Sequence, residues 1–170
     1  ISSESDGGLP PITIKGKIKG DEVNIDGKIS SQFISAMLII APRLENGLII
    51  NIQGDLVSKP YIDLTIAIMK EFGVEVNSEI SYKKYVVKHQ IYKPTTFTVP
   101  SDFSNLALLL ASNVLLGDGL EIEISLGNLP QGDEAIIDIL EELGVNVTLN
   151  GNTITTKSPK MLTGGRFDLS

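Results

Sequence analysis

An internal repeat constrains the fold of this chain more than any other feature of its sequence. The segment "KEFGVEV" begins at Lys70, and the similar segment "EELGVNV" begins at Glu141, 71 residues later. Likewise, "NGLIINI" begins at Asn46 and "DGLEIEI" begins at Asp118, 72 residues later. Self-similarity at a fixed spacing marks repeated structural units. The sequence therefore predicts two copies of one unit that together occupy nearly the whole chain.

Each copy is predicted to fold as a strand, a helix, a strand, a helix and a hairpin, which is a βαβαββ unit. Apolar runs separated by proline and glycine mark these elements. In the first copy we expect strands within 22–29 and 48–52, helices at 31–44 and 60–72, and a hairpin at 74–90. In the second copy we expect strands at 97–99 and 120–124, helices at 104–116 and 133–143, and a hairpin that turns at Asn150-Gly151.

The same pattern predicts the boundaries of the units. We expect the first unit at 9–93 and the second at 101–158, joined by a proline-bracketed linker at 94–100. Residues 159–170 are expected to form a truncated C-terminal segment. The sequence is thus interpreted as a portion of a longer protein.

Two of the predicted helices have almost no polar face. They contain "FISAMLIIA", which begins at Phe33, and "LALLLASNVLL", which begins at Leu106. A helix that is apolar on every side must be covered on every side, and one four-stranded sheet cannot do this. We therefore predict that further layers cover these helices, and that the chain alone self-associates through them.

Composition and charge argue against several classes of function. The chain has 170 residues, 42% of them apolar, and a net charge of -7, so we expect a globular protein that does not bind nucleic acid. It has no cysteine and a single histidine, His89, which argues against a metal site and a Ser-His-Asp triad. Its apolar runs are shorter than the roughly 18 residues that a membrane-spanning helix needs. The sequence predicts a soluble cytoplasmic protein.

Two predicted helix starts carry polar side chains that suit an anion. Ser30, Ser31 and Gln32 open the first helix, and Ser58 and Tyr61 lie at the start of the second. Helix N-termini present unpaired N–H groups and a partial positive charge. The side chains add hydroxyl groups and an amide, although a serine here can also be a simple N-cap. If both helix starts face one site, its predicted ligand is a hydroxylated anion.

Four motifs resemble the 5-enolpyruvylshikimate-3-phosphate (EPSP) synthase family. In chain order they are "GGLP" (7–10), "DGKISSQFISA" (26–36), "GDLVSKPYIDLT" (54–65) and "QGD" (131–133). The resemblance covers a central portion of such an enzyme. It implies an α/β (α+β) fold of the inside-out α/β barrel type. In that fold two lobes are built from repeated βαβαββ units, with helices inward and sheets outward.

The resemblance also implies transfer of the enolpyruvyl group of phosphoenolpyruvate to the 5-hydroxyl of shikimate 3-phosphate, with release of phosphate and without a cofactor. Ser30, Ser31, Gln32 and Ser58 would bind shikimate 3-phosphate, and Tyr61 would pack against its ring. Gln32 would also lie near phosphoenolpyruvate. The lysine, glutamate and aspartate that act in the family match no position in this chain, so no catalytic residue is predicted within it.

Two alternatives stay open. One is the enolpyruvyl transferase that acts on UDP-N-acetylglucosamine and shares the same architecture, although "SKPYID" and "SSQF" favour the shikimate enzyme. The other is a binding module that keeps the fold without catalysis. An aspartate encoded shortly after Ser170 and followed by a stretch rich in arginine and lysine would favour the enzyme.

Overall fold

The computed structural model describes residues 2–5, 8–79, 81–117, 120–127 and 129–167. Its strands are β1 (Ser2–Ser3), β2 (Ile12–Thr13), β3 (Glu22–Asp26), β4 (Leu48–Gln53), β5 (Asn77–Glu79), β6 (Lys84–Val87), β7 (Glu121–Glu123), β8 (Asn146–Asn150) and β9 (Thr153–Lys157). Its α-helices are α1 (Ser31–Ile40), α2 (Lys59–Glu71), α3 (Phe103–Leu116) and α4 (Ile136–Glu142). Short 3-10 helices lie at Ala41–Arg43 and Gly132–Ala135.

The first half of the chain has the predicted order of strand, helix, strand, helix and hairpin. Its four-stranded sheet has the order β3-β4-β6-β5. The strands β3 and β4 are parallel, with Val23 opposite Ile50, and the other two pairs are antiparallel. The helix α1 ends at Ile40, earlier than predicted, because Pro42 has no N–H group to continue the α-helical ladder. Ile80, in the predicted hairpin, lies outside the described residues.

The second half departs from the prediction at its first strand. Its sheet has the order β7-β9-β8, and both strand pairs are antiparallel. Among the described residues, 97–99 belong to no strand, so the strand predicted there is wrong. The Phe97 ring instead packs against the Phe72 ring of the first half, with 5.9 Å between centroids. Pro94 and Pro100 bracket this segment, and proline cannot donate to a strand ladder.

Each half has its own hydrophobic core. In the first half, α1, α2 and the sheet bury a cluster that includes Ile34, Leu38, Ile50, Ile62 and Tyr85. In the second half, α3, α4 and the smaller sheet bury a separate cluster that includes Leu106, Leu110, Ile124, Leu140 and Ile154. The unit boundaries at 9–93, 94–100 and 101–158 stay a prediction. The last three residues of the predicted segment 159–170 lie outside the described residues.

The two apolar helices each keep one exposed face. On α1, Ile34 and Leu38 are fully buried, whereas Phe33 is 55% exposed. On α3, Leu108 is 68% exposed and Leu116 is 89% exposed. Within the described ranges, none of the helices is both long and apolar enough to cross a membrane. Self-association through the exposed faces stays a prediction.

Candidate functional site at the starts of two helices

The helices α1 and α2 begin side by side because the strands before them, β3 and β4, are parallel neighbours. The loops that follow these strands are hydrogen-bonded to each other. Gly27 N donates to Gln53 O at 2.9 Å, and Val57 N donates to Gly27 O at 3.2 Å. One helical turn further on, Ser35 Oγ and Thr65 Oγ1 lie 2.8 Å apart. Ligands of open α/β sheets bind beyond the carboxyl ends of the strands, which is where both helices begin.

The start of α1 combines a helix cap with exposed polar groups. Ser30 is the N-cap residue, and its Oγ accepts a hydrogen bond from Gln32 N at 3.2 Å. Ser31 is the first helical residue and is buried, whereas Gln32 is exposed. The capping bond uses an oxygen lone pair of Ser30, so the O–H group can still donate to a ligand. The first turn carries no acidic residue that would neutralise its partial positive charge.

The start of α2 differs from an ordinary cap. Ser58 is exposed and occupies the N-cap position, but its backbone is left-handed, with φ 55° and ψ 43°. Among the described residues its hydroxyl makes no capping hydrogen bond. Such a backbone costs about 1–3 kcal/mol in a non-glycine residue, and such residues cluster at functional sites. Ser58 is thus an exposed residue at the helix N-terminus whose hydroxyl is not used for capping.

The side chains of Lys59 and Tyr82 lie next to this helix start. Lys59 Nζ lies 5.8 Å from the centroid of the Tyr82 ring, which is within the range of a cation–π contact. The Tyr82 hydroxyl donates to Asp63 Oδ2 at 2.8 Å, and this hydrogen bond raises the pKa of Tyr82. The ammonium group of Lys59 thus contributes positive charge at the start of α2 while resting on an aromatic face.

Tyr61 connects the helix start to the second half of the chain. It is 49% exposed, and its hydroxyl donates to Asp133 Oδ2 at 3.0 Å. A shallow cleft runs between the halves at this contact. Its walls are formed by Pro60, Tyr61 and Leu64 on one side, and by Asp102, Ser104, Pro130, Gln131, Gly132 and Asp133 on the other.

The structure places the five predicted residues on two adjacent helix starts at one edge of the sheet. Ser30, Ser31 and Gln32 lie on one, and Ser58 and Tyr61 lie on the other. No role is predicted for Asp133 from the sequence, although the motif "QGD" contains it. Its contact with Tyr61 joins residues 72 positions apart, so no local pattern could reveal it.

Comparison with known proteins decides the family. The family model described as EPSP synthase (3-phosphoshikimate 1-carboxyvinyltransferase) matches residues 1–170. The chain belongs to the EPSP synthase family. The resemblance that the motifs indicated is thereby confirmed over the full length of the chain.

Two relatives show how much of an EPSP synthase the chain represents. The 3-phosphoshikimate 1-carboxyvinyltransferase of Nitrosopumilus maritimus is 57% identical over 167 residues, which are 98% of this chain and 40% of the relative. The enzyme of the same name from Methanosarcina mazei is 40% identical over 163 residues, which are 93% of this chain and 38% of the relative. The chain thus spans well under half the length of these relatives.

Solved structures share the fold. EPSP synthase from Acinetobacter baumannii superposes with a TM-score of 0.59 at 20% identity, covering 92% of this chain and 36% of that one. The enolpyruvyl transferase NikO from Streptomyces tendae superposes with a TM-score of 0.54 at 15% identity, covering 82% of this chain and 35% of that one. Mixed α/β content of the EPSP synthase type is therefore confirmed.

Proposed function

We propose that this chain forms part of the shikimate 3-phosphate site of an enzyme that transfers enolpyruvyl from phosphoenolpyruvate to the 5-hydroxyl of shikimate 3-phosphate and releases phosphate. One observation carries the proposal. Two helix N-termini that bear Ser30, Ser31 and Gln32 on one side and Ser58 and Tyr61 on the other lie together at the carboxyl edge of parallel strands.

The chemistry of these groups fits a phosphorylated polyol. Peptide N–H groups at helix starts bind phosphate oxygens, and serine hydroxyl groups donate to them as well. The hydroxyl of Ser58 makes no capping hydrogen bond among the described residues, so it is available to contact a phosphate. The half-exposed Tyr61 ring offers a flat apolar face to a carbocycle. The exposed amide of Gln32 can both donate and accept, so it can reach both substrates.

The proposal includes the larger architecture. The chain would supply one βαβαββ unit to a lobe that carries the shikimate 3-phosphate wall, and part of a second unit to the other lobe. In the inside-out α/β barrel, further units would cover the exposed faces of α1 and α3. The two helices already carry the apolar side chains that such burial requires, including Phe33 and Leu108.

Substitution of Gln32 tests the proposal most directly. In the longer protein that carries this chain, Gln32→Ala should raise KM for both substrates and lower kcat. Loss of one hydrogen bond to a charged group costs about 1.5–3 kcal/mol, or about 10- to 150-fold in kcat/KM. Steady-state kinetics provide the measurement. Changes below twofold in every parameter would contradict the role proposed for Gln32.

Substitution of Ser58 separates the two substrates. Ser58→Ala should raise KM for shikimate 3-phosphate and leave KM for phosphoenolpyruvate nearly unchanged, since the hydroxyl is proposed to contact only the shikimate phosphate. Ser78→Ala is the matched control, because Ser78 is an exposed serine on the edge strand β5. An equal effect of both substitutions would show that Ser58 acts through stability alone.

The alternatives have distinct outcomes in the same assay. Transfer to UDP-N-acetylglucosamine in preference to shikimate 3-phosphate would assign the protein to the UDP-sugar reaction. Binding of shikimate 3-phosphate by the longer protein without release of phosphate would identify a binding module. The 57% identity to a 3-phosphoshikimate 1-carboxyvinyltransferase favours the shikimate reaction over both.

A further inference from the structure

The "QGD" motif lies where the two halves meet, and two of its three residues contact the first half. Gln131 holds the motif to the start of α3. Its Oε1 accepts from Phe103 N at 3.1 Å, and its Nε2 donates to Ser101 O at 2.9 Å. These two hydrogen bonds fix the position of the 3-10 helix that begins at Gly132.

Gly132 allows the two halves to approach closely. A Cβ atom at this position would lie 2.8 Å from Pro60 Cβ and 2.9 Å from Pro60 Cγ, closer than real Cβ contacts. The glycine therefore packs directly on the first turn of α2, one residue before Tyr61. Any side chain here would push the second half away from the helix start.

Asp133 accepts hydrogen bonds from both halves on a single oxygen. Tyr61 OH donates to Asp133 Oδ2 at 3.0 Å, and Ser104 Oγ donates to the same atom at 2.5 Å. Ser104 belongs to α3, so one of the two donors that hold the carboxylate comes from its own half of the chain. The ring of Tyr61 is half-exposed, and its hydroxyl contact with Asp133 limits how the ring can turn.

We infer that Asp133 is a positioning residue: it holds the Tyr61 ring in the orientation that receives the substrate, and Gln131 and Gly132 place Asp133 for this purpose. The inference rests on the role proposed for Tyr61 in binding the shikimate ring. It adds that the second half of the chain completes the binding wall of the first. The motif thus links the two halves at the residue that faces the ligand.

Tyrosine ring NMR tests the contact without any ligand. The chain has four tyrosines, so a sample labelled with carbon-13 at the tyrosine Cζ gives four signals, and Tyr61→Phe assigns one of them. Asp133→Ala should shift the Tyr61 signal, and Asp133→Asn should shift it less, because the amide keeps an acceptor oxygen. Asp63→Ala is the matched control. It removes the acceptor of Tyr82 and should move the Tyr82 signal while leaving that of Tyr61 in place.

Kinetics of the longer protein test the consequence for binding. Asp133→Ala should raise KM for shikimate 3-phosphate about 5-fold, which corresponds to loss of one ordinary hydrogen bond. It should change kcat and KM for phosphoenolpyruvate less than twofold. Asp133→Asn should keep KM for shikimate 3-phosphate close to that of the original protein. If Asp133→Ala leaves the chemical shift of the Tyr61 signal unchanged, the inference is overturned. A signal that responds while KM for shikimate 3-phosphate stays unchanged would instead overturn the binding role proposed for Tyr61.

Discussion

Gly47 lies in a left-handed backbone conformation and packs so closely on the backbone of β6 that no side chain fits there. Its φ is +73°, and an added Cβ atom would lie 2.1 Å from Val87 O. Gly47→Ala should therefore lower the free energy of unfolding by about 2–4 kcal/mol, from backbone strain and overpacking together. Gly151→Ala is the matched control, because Gly151 has φ +60° and nothing within 4 Å of the added atom. We expect it to cost about 1 kcal/mol. Equal losses in urea unfolding would contradict the steric argument.

Tyr85 carries a buried hydroxyl group without a hydrogen-bond partner among the described residues. Leaving such a group unpaired costs about 1–3 kcal/mol, so at pH 7 Tyr85→Phe should be as stable as the original chain or more stable. Tyr92→Phe is the control: the Tyr92 hydroxyl donates to Ile39 O at 2.8 Å, and its loss should cost about 1 kcal/mol. Chemical unfolding of both variants measures the difference, and a larger loss for Tyr85→Phe would contradict the prediction.

The same tyrosine makes stability depend on alkaline pH. The pKa of Tyr85 is raised above the usual value of 10.0, mainly because the side chain is buried. Because the folded pKa is the raised one, the unfolded chain loses its proton first as pH increases. The free energy of unfolding is therefore unaffected by this titration below about pH 10, and it falls as pH rises from there towards the folded pKa. The stability of Tyr85→Phe should therefore fall less steeply than that of the original chain above pH 10.

The residues of the candidate site could be predicted to different degrees. The pattern of serine and glutamine before an apolar run was enough to place Ser30, Ser31 and Gln32 at a helix start. The left-handed backbone of Ser58 depends on how the loop after β4 packs, which no local pattern encodes. The contact of Asp133 with Tyr61 depends on how two separate cores dock. Local chemistry was thus predictable, and tertiary contacts were not.

At the scale of elements, helices were predicted more reliably than strands. The predicted helices 60–72 and 104–116 correspond to α2 and α3 with ends shifted by one residue at most. Helix ends are set by nearby residues, such as Pro60 and Gly73, so the sequence carries the signal locally. A strand needs a partner, and residues 97–99 have apolar alternation but form no ladder; of these residues, Phe97 packs on Phe72 instead. Helix α4 is shorter than predicted because its first turn is the 3-10 helix Gly132–Ala135.

The exposed face of α3 leads to a prediction about association. Covering each exposed leucine stabilises an assembly by about 1.5–3 kcal/mol, so we expect the chain to form a two-fold dimer at micromolar concentration. The double variant Leu108→Glu with Leu116→Glu should sediment as a monomer. Asn77→Glu with Asn150→Glu, which adds the same charge at exposed strand positions, should remain associated. An original chain that is monomeric and binds no hydrophobic dye would contradict the prediction.

At the scale of the whole molecule, the chain alone should not catalyse enolpyruvyl transfer. The resemblance to the family implies that the general acid, the general base and most of the arginines that bind phosphate have no counterpart among these 170 residues. Incubation with phosphoenolpyruvate and shikimate 3-phosphate should release phosphate at the background rate, and shikimate 3-phosphate should bind weakly at best. Release above background would mean that the chain contains catalytic groups that the motifs do not reveal.

The two separate hydrophobic cores have a consequence for how the molecule melts. Regions with independent cores can open as separate cooperative units, each with its own free energy. The aromatic contact of Phe72 with Phe97 and the hydrogen bond from Tyr61 to Asp133 are modest links between them. Calorimetry should show two unfolding transitions. Leu110→Ala opens a cavity in the second core, so it should lower the midpoint temperature of only one of them. The most slowly exchanging amide protons would then report a different free energy of opening for each half, and Gly47→Ala would lower only that of the first half.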